Sequence, residues 1–167
     1  RFMLNPEWGM VNQIIFKLTG DDGPNWLNDP TVALGMAIGV HIWKSLPFWT
    51  LILLTGRLAI SHDLYEAAEV DGASWSQKFR YITLPLLGST LRLSIFFAVI
   101  GSLQLFDMIM PLTGGGPSNS TQTMVTFLYT YGVMRMQVGL GSAVGVVLFV
   151  ICVTLAFGYK RIFMRHD

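Results

Sequence analysis

Residues 139–159 read GLGSAVGVVLFVICVTLAFGY, a run without a single charged side chain. A helix rises about 1.5 Å per residue and the hydrocarbon core of a bilayer is about 30 Å thick, so about 20 apolar residues suffice to cross it. The stretch therefore reads as a membrane span, placed at 139–160 with Lys160 closing it. Working outward, two further runs reach the same length: 31–55, TVALGMAIGVHIWKSLPFWTLILLT, and 86–110. The first of these is interrupted by His41, Lys44 and Pro47. Composition agrees, with 52% hydrophobic and 13% charged residues and a mean hydropathy of +0.52, more apolar than a typical soluble domain. Buried helices of a soluble protein are the alternative, and three such runs within 167 residues argue against it. The expected fold class is all-α, a polytopic transmembrane helical bundle with three visible spans.

Charge sets aside several functions and orients the chain. Eleven Lys and Arg against ten Asp and Glu give a formal charge of +1, with no basic field of the kind that nucleic acid requires. The single cysteine, Cys152, lies inside an apolar run, which excludes an internal disulfide and a cysteine zinc site. His41, His62 and His166 are scattered and suggest no metal centre. No nucleophile, acid–base pair or nucleotide-binding motif is visible, so no catalytic residue is assigned and the chain is expected not to be an enzyme. Three spans put the two ends on opposite sides. One side holds the 56–85 loop with Arg57, Lys78 and Arg80, and the 161–167 tail with Arg161 and Arg165 next to Lys160; the other holds Arg1, Lys17 and Arg135. The excess of positive charge assigns the loop and tail to the cytoplasm. Arg92, about two turns into the second span, is close enough to that side to snorkel.

Residues 1–30 are then external. They contain a helix-like run, MVNQIIFKL, stopped by Gly20, followed by the turn-rich DDGPNWLNDP. Trp8 and Trp26 are candidates for the membrane interface, where tryptophan is enriched. Residues 111–138 form an external loop and re-entry that begins with PLTGGGPSNSTQT.

The cytoplasmic segment at 66–85, EAAEVDGASWSQKFRYITLP, reads as two short helices with a bend. Leu64, Tyr65, Ala67, Ala68 and Val70 suit the first helix, which ends near Gly72, a residue free to take positive φ. Ser74 with Gln77 three residues on is a capping-box signature for the second, which runs to Pro85. Ala67 and Ala68 leave one face without bulk, and Glu66, Glu69 and Asp71 put negative charge beside it. From the residues alone, a docking surface and an ordinary solvated loop remain equal alternatives.

The spacing adds more. Glu66-Ala67-Ala68, three residues, Gly72, nine residues, Ile82, one residue, Leu84-Pro85 closely resembles the cytoplasmic EAA signature of the membrane subunits of bacterial ABC importers. The surrounding DGAS and FRYITLPLL resemble the version found in carbohydrate importers. So do Trp8-Gly9 with Asn12, Trp26-Leu27 before Asp29-Pro30, and Ile42-Trp43-Lys44, which are similar to the region preceding the loop in maltose- and glycerol-phosphate-type permeases. Phe106-Asp107 and the external motif Thr113, Gly114, Gly115, Gly116 and Pro117, with Thr121, resemble one of the two permease types of such heterodimers. The resemblance implies a type I importer permease in the cytoplasmic membrane of a bacterium or archaeon, moving a sugar or sugar derivative by alternating access. It implies that Glu66, Ala67, Ala68, Asp71, Gly72, Ile82, Leu84 and Pro85 couple it to an ATPase. The implied partners are two ATP-binding subunits, a second and different permease, a periplasmic or lipid-anchored solute-binding protein, and membrane lipid. ATP and Mg would be held by the ATPase partner, and no cofactor by this chain. The family usually carries a proline before the triplet; here Ser61 takes a capping position instead. Such permeases have about six core spans, so the chain is expected to be the C-terminal half of one.

Trp43, Lys44 and Asp107 are the candidates for pore-facing positions. A lysine at mid-span costs about 2.5–3.5 kcal/mol, which favours a bundle interior or a partner. A Lys44–Asp107 pair is rejected on depth, since in straight antiparallel helices the two differ by roughly 15 Å. Pro47 is a candidate break that admits water beside Lys44. Trp43, Phe48 and Trp49 are stacking candidates for a sugar, with packing the plainer role. The glycine triplet 114–116 is no phosphate loop, because no Gly-Lys-Ser/Thr follows. Gly141 and Gly145 form a small-residue face suited to close helix packing. A secondary transporter or channel subunit without an ATPase, or a non-transporting membrane scaffold, are the readings from other classes.

Overall fold

A computed structural model describes residues 1–163; Arg165 and His166 lie outside the described residues. The described residues are helical and joined by turns. In order they form α1 (Met10–Thr19), α2 (Pro30–Leu58), α3 (Asp63–Val70), α4 (Trp75–Leu86), α5 (Gly88–Leu103), α6 (Ile109–Leu112), α7 (Met124–Met134) and α8 (Val138–Phe163). α2 and α8 are long and apolar enough to cross a membrane, and α4 with α5 passes the same test as a pair bent by 65°.

Local chemistry explains the ends. α1 stops where Gly20 turns left-handed at φ 79° and its N–H returns to the Phe16 carbonyl. α2 starts where the Asp29 carboxylate accepts the N–H groups of Thr31 and Val32, each at 2.9 Å. Pro30 stands at the first helical position, where a missing N–H costs nothing. Pro47 lies inside α2, which continues through it to Leu58, so the break considered from the sequence does not occur. Apolar spans tolerate an internal proline where neighbouring groups satisfy the freed carbonyl.

The helix expected over 86–110 is shorter than its apolar run. α5 ends at Leu103, where the Gln104 N–H closes a tight turn on Gly101, and the chain resumes as α6. Gly101 and Ser102, both weak helix formers, precede that stop.

The chain divides into two compact units: Arg1–Trp43 with Ile100–Gly158, and Lys44–Val99 with the chain from Tyr159. In the first, Ala37 of α2 packs with Met108, Ile109 and Leu112, flanked by Leu4, Leu27 and Leu105. Asn12, buried on α1, ties the segment before it to the segment after it. Its amide donates to the carbonyls of Pro6 (3.1 Å) and Pro24 (3.4 Å), and its carbonyl accepts from the Trp26 indole. Trp26 is thus held by a hydrogen bond, whereas Trp8 is half exposed. The small face of α8 meets α7: a Cβ added at Gly141 would lie 2.6 Å from the Gly132 Cα, and one at Gly145 would rest 3.5 Å from Leu128.

The second unit holds the C-terminal half of α2, α3, α4 and most of α5. Gly56 lets α2 approach the start of α5, since a Cβ there would lie 2.8 Å from a methyl of Leu87, just before it, and 3.1 Å from the Thr90 hydroxyl.

Candidate coupling site

The 66–85 stretch folds as a capped elbow. Ser61 accepts the Asp63 N–H at 3.3 Å, and His62 reaches Glu66 at 2.9 Å across one turn, so acidic groups occupy the start of α3 where the helix dipole favours them. At the other end Ala73 N–H bonds the Ala68 carbonyl (2.9 Å) and Gly72 N–H the Glu69 carbonyl (3.0 Å). That pair of bonds is the Schellman arrangement, and it needs a left-handed residue, which Gly72 supplies at φ 72°. Two residues later Ser74 opens α4 with a reciprocal capping box: its N–H donates to Gln77 Oε1 at 2.7 Å and its hydroxyl accepts the Gln77 N–H at 3.4 Å.

α4 is not uniform. Phe79–Thr83 is a widened π turn, and it lies just before Pro85. A proline ring cannot donate and crowds the carbonyl four residues back, so a wider turn there relieves the conflict. The Thr83 hydroxyl lies 3.4 Å from the Lys78 carbonyl, the five-residue reach that such a turn creates.

Two contacts hold the elbow together and a third ties it to α2. Tyr65 and Thr83 are both 8% exposed and their hydroxyls are 2.8 Å apart. The Arg57 guanidinium lies over the Tyr65 ring, 3.9 Å from its centroid, a cation–π contact. Lys78 donates to Glu69 at 2.7 Å, joining α4 to α3. That hydrogen bond, and the charge of Lys78, hold the Glu69 carboxyl below its ordinary pKa. These elements frame a cleft of about 670 Å³ walled by Leu53, Arg57, Tyr65, Trp75, Phe79 and Leu87.

The outer face of the elbow is open. Glu66, Ala67, Asp71 and Gly72 are exposed, Ala68 and Ile82 half buried, and Leu84 and Pro85 exposed. Trp75 stacks on Phe79 with ring centroids 5.6 Å apart and is itself 77% exposed. Sequence reasoning located this segment and its bend but overlooked Arg57, Tyr65, Lys78 and Thr83 as the residues that hold it. Only the charges of Arg57 and Lys78 gave any signal.

The other candidates are placed elsewhere. Thr113 Oγ1 lies 2.7 Å from Thr121 Oγ1, which donates to the Gly116 carbonyl at 2.8 Å. Gly114 and Gly115 have positive φ, and Gly116–Pro117 is a cis bond. The Thr113 and Thr121 hydroxyl bonds make the 113–117 motif an ordered turn in the first unit. Trp43 and Lys44 are exposed on α2, and Asp107 is exposed in the turn before α6.

Residues 4–166 match the family described as binding-protein-dependent transport system inner membrane component. The chain belongs to that family. As an inner membrane component it is 38% identical over 160 residues to the trehalose/maltose transport system permease protein MalF of Thermococcus litoralis, covering 96% of this chain and 54% of the relative. It is 38% identical over 161 residues to the sulfoquinovosyl glycerol transport system permease protein SmoG of Agrobacterium fabrum, with 96% and 52% covered. The chain thus spans about half the length of these curated relatives. Among solved structures, a bacterial ABC transporter involved in the import of the acidic polysaccharide alginate superposes with a TM-score of 0.83 at 27% identity, over 97% of this chain and 58% of that one. A bacterial alginate ABC transporter in complex with an alginate pentasaccharide-bound periplasmic protein shares the fold, with a TM-score of 0.85 at 24% identity over 96% of this chain and 56% of that one. The all-α membrane fold and the permease family read from the sequence both stand.

Proposed function

We propose that this chain is part of the membrane-spanning permease of an ATP-driven, binding-protein-dependent importer of a sugar or sugar derivative. Its elbow at residues 63–86 receives the motion of an ATPase subunit. The observation that carries the reading is the elbow itself: a small-faced, acidic helix closed by a Schellman turn at Gly72 and followed at once by a capped second helix. A segment that merely joins two spans has no need of caps on both sides of a bend. Two ATP-binding subunits, a second permease and an external solute-binding protein complete the proposed assembly, with ATP and Mg on the ATPase. Glu66, Ala67, Ala68, Asp71 and Gly72 form the proposed docking face, and Ile82, Leu84 and Pro85 lead the motion into α5. Nucleotide binding elsewhere then shifts the population of outward- and inward-facing states.

The test is purification of the full-length protein from membranes in mild detergent, with and without Gly72→Val. Recovery of an ATP-binding subunit with the unmodified protein, and its loss from the variant, is the expected result. Recovery of no such subunit would favour a secondary transporter or a scaffold.

A further inference from the structure

The EAA pattern fixes Glu66-Ala67-Ala68, Gly72, Ile82 and Leu84-Pro85, and it leaves open the residue before the triplet and the one between Ile82 and Leu84. Those two are Tyr65 and Thr83, whose buried hydroxyls are 2.8 Å apart. The Thr83 hydroxyl also faces the Lys78 carbonyl at 3.4 Å. With Thr83 donating to that carbonyl, the Tyr65 phenol is the donor to Thr83, which gives the pair a direction. The other side of the ring carries Arg57, in the last turn of α2. One side chain therefore stands on α3, bonds α4 two residues before Pro85, and touches the end of a span.

We propose that Tyr65 is the positioning residue that makes α3 move as one body with α2 and α5, a proposal that rests on the coupling function above. A second link between α3 and α4 is the Glu69–Lys78 pair, whose carboxylate side is open to solvent, and an exposed ion pair holds little. The Tyr65–Thr83 bond is shielded from water, where a hydrogen bond is stronger and its loss is felt. Most of the docking face lies away from this pin: Glu66, Ala67, Asp71 and Gly72 are exposed while Tyr65 is buried. Recruitment of the ATPase and transmission of its motion are thus separable.

The experiment uses the full-length transporter assembled with its ATPase subunits in lipid vesicles. Spin labels are placed at Leu64→Cys on α3 and Leu93→Cys on α5, both exposed, in a Cys152→Ser background. Pulsed electron resonance reads their separation with and without Mg-ATP. The parent protein is expected to keep one separation in both states. Tyr65→Phe, which keeps the ring under Arg57, and Thr83→Val are each expected to gain a slipped population with Mg-ATP. That population rises about threefold to tenfold, the factor one buried hydrogen bond commands. The double variant is expected to slip no more than either single one, because one bond is lost in all three. Thr83→Ser, which retains a hydroxyl, is expected to behave as the parent. An unchanged separation in both Tyr65→Phe and Thr83→Val, additive effects in the double variant, or loss of the ATPase subunit from Tyr65→Phe would overturn the pin. If no ATPase subunit joins the unmodified protein, the coupling reading itself fails and the pin falls with it.

Discussion

Gly72 and Asn12 show two ways a single residue fixes a bend. At Gly72 an added Cβ would meet nothing within 4 Å, so the demand is on the backbone alone, where φ is 72°. A left-handed conformation costs an L-residue about 1–2 kcal/mol, and asparagine tolerates it best. Gly72→Ala should therefore loosen the elbow by about 1 kcal/mol, Gly72→Asn by less and Gly72→Val by more. Amide hydrogen exchange over residues 67–78 would rank them. Asn12 acts through its side chain: Asn12→Leu would leave the Pro6 carbonyl and the Trp26 indole without their partner, while the Pro24 carbonyl keeps the Trp26 backbone N–H at 3.0 Å. Each orphaned polar group costs about 1–3 kcal/mol when buried. The variant should melt earlier in detergent, with Trp26 emission shifted to the red.

At the scale of elements, the α3–α4 bracket carries a pH dependence of definite sign. The Lys78 hydrogen bond and charge lower the Glu69 pKa. Its contribution is then fully present above the ordinary glutamate value of about 4.3 and is lost as pH falls through the lowered one. Exchange protection of α3 should be flat from pH 6 to 8 and fall only in acid, and Lys78→Met should remove that acid-side loss. The α7–α8 contact should be intolerant of bulk: Gly141→Leu meets backbone at Gly132, and forcing atoms into such a contact costs about 1–3 kcal/mol. Its check is the melting temperature set beside Gly139→Leu, where an added Cβ has open space. What the sequence disclosed follows the same division. The stop at Gly20, the bend at Gly72 and the box at Ser74 were legible because each is settled by residues a few positions apart. The Tyr65–Thr83 bond joins residues 18 apart and leaves no local trace. The end of α5 was hidden for a different reason. Leu105, Met108, Ile109 and Leu112 prolong the apolar run, but they are apolar because they build a protein core and not because they face lipid.

For the whole molecule, the exposed apolar surface is the main fact. Trp43, Phe149 and Phe157 are each at least 67% exposed on α2 and α8, as suits helices that meet lipid or further helices. By the positive-inside rule residues 63–86 are expected in the cytoplasm and residues 113–117 outside. In a Cys152→Ser background, an impermeant thiol reagent added outside intact cells should label Ser118→Cys and spare Ser76→Cys. Labelling of both, or the reverse pattern, would undo the orientation. Finally, a π turn is an α turn with one residue too many, the form a helix takes when it absorbs an insertion without disturbing what lies on either side. Phe79–Thr83 has that form within the elbow, ahead of the next span. The surplus residue marks where a change of length is absorbed: excising the exposed Arg80 should close the turn to ordinary pitch and bring back the crowding by Pro85, while Trp75 and Pro85 keep their bearings. The same deletion within α8 would rotate every following side chain by about 100°.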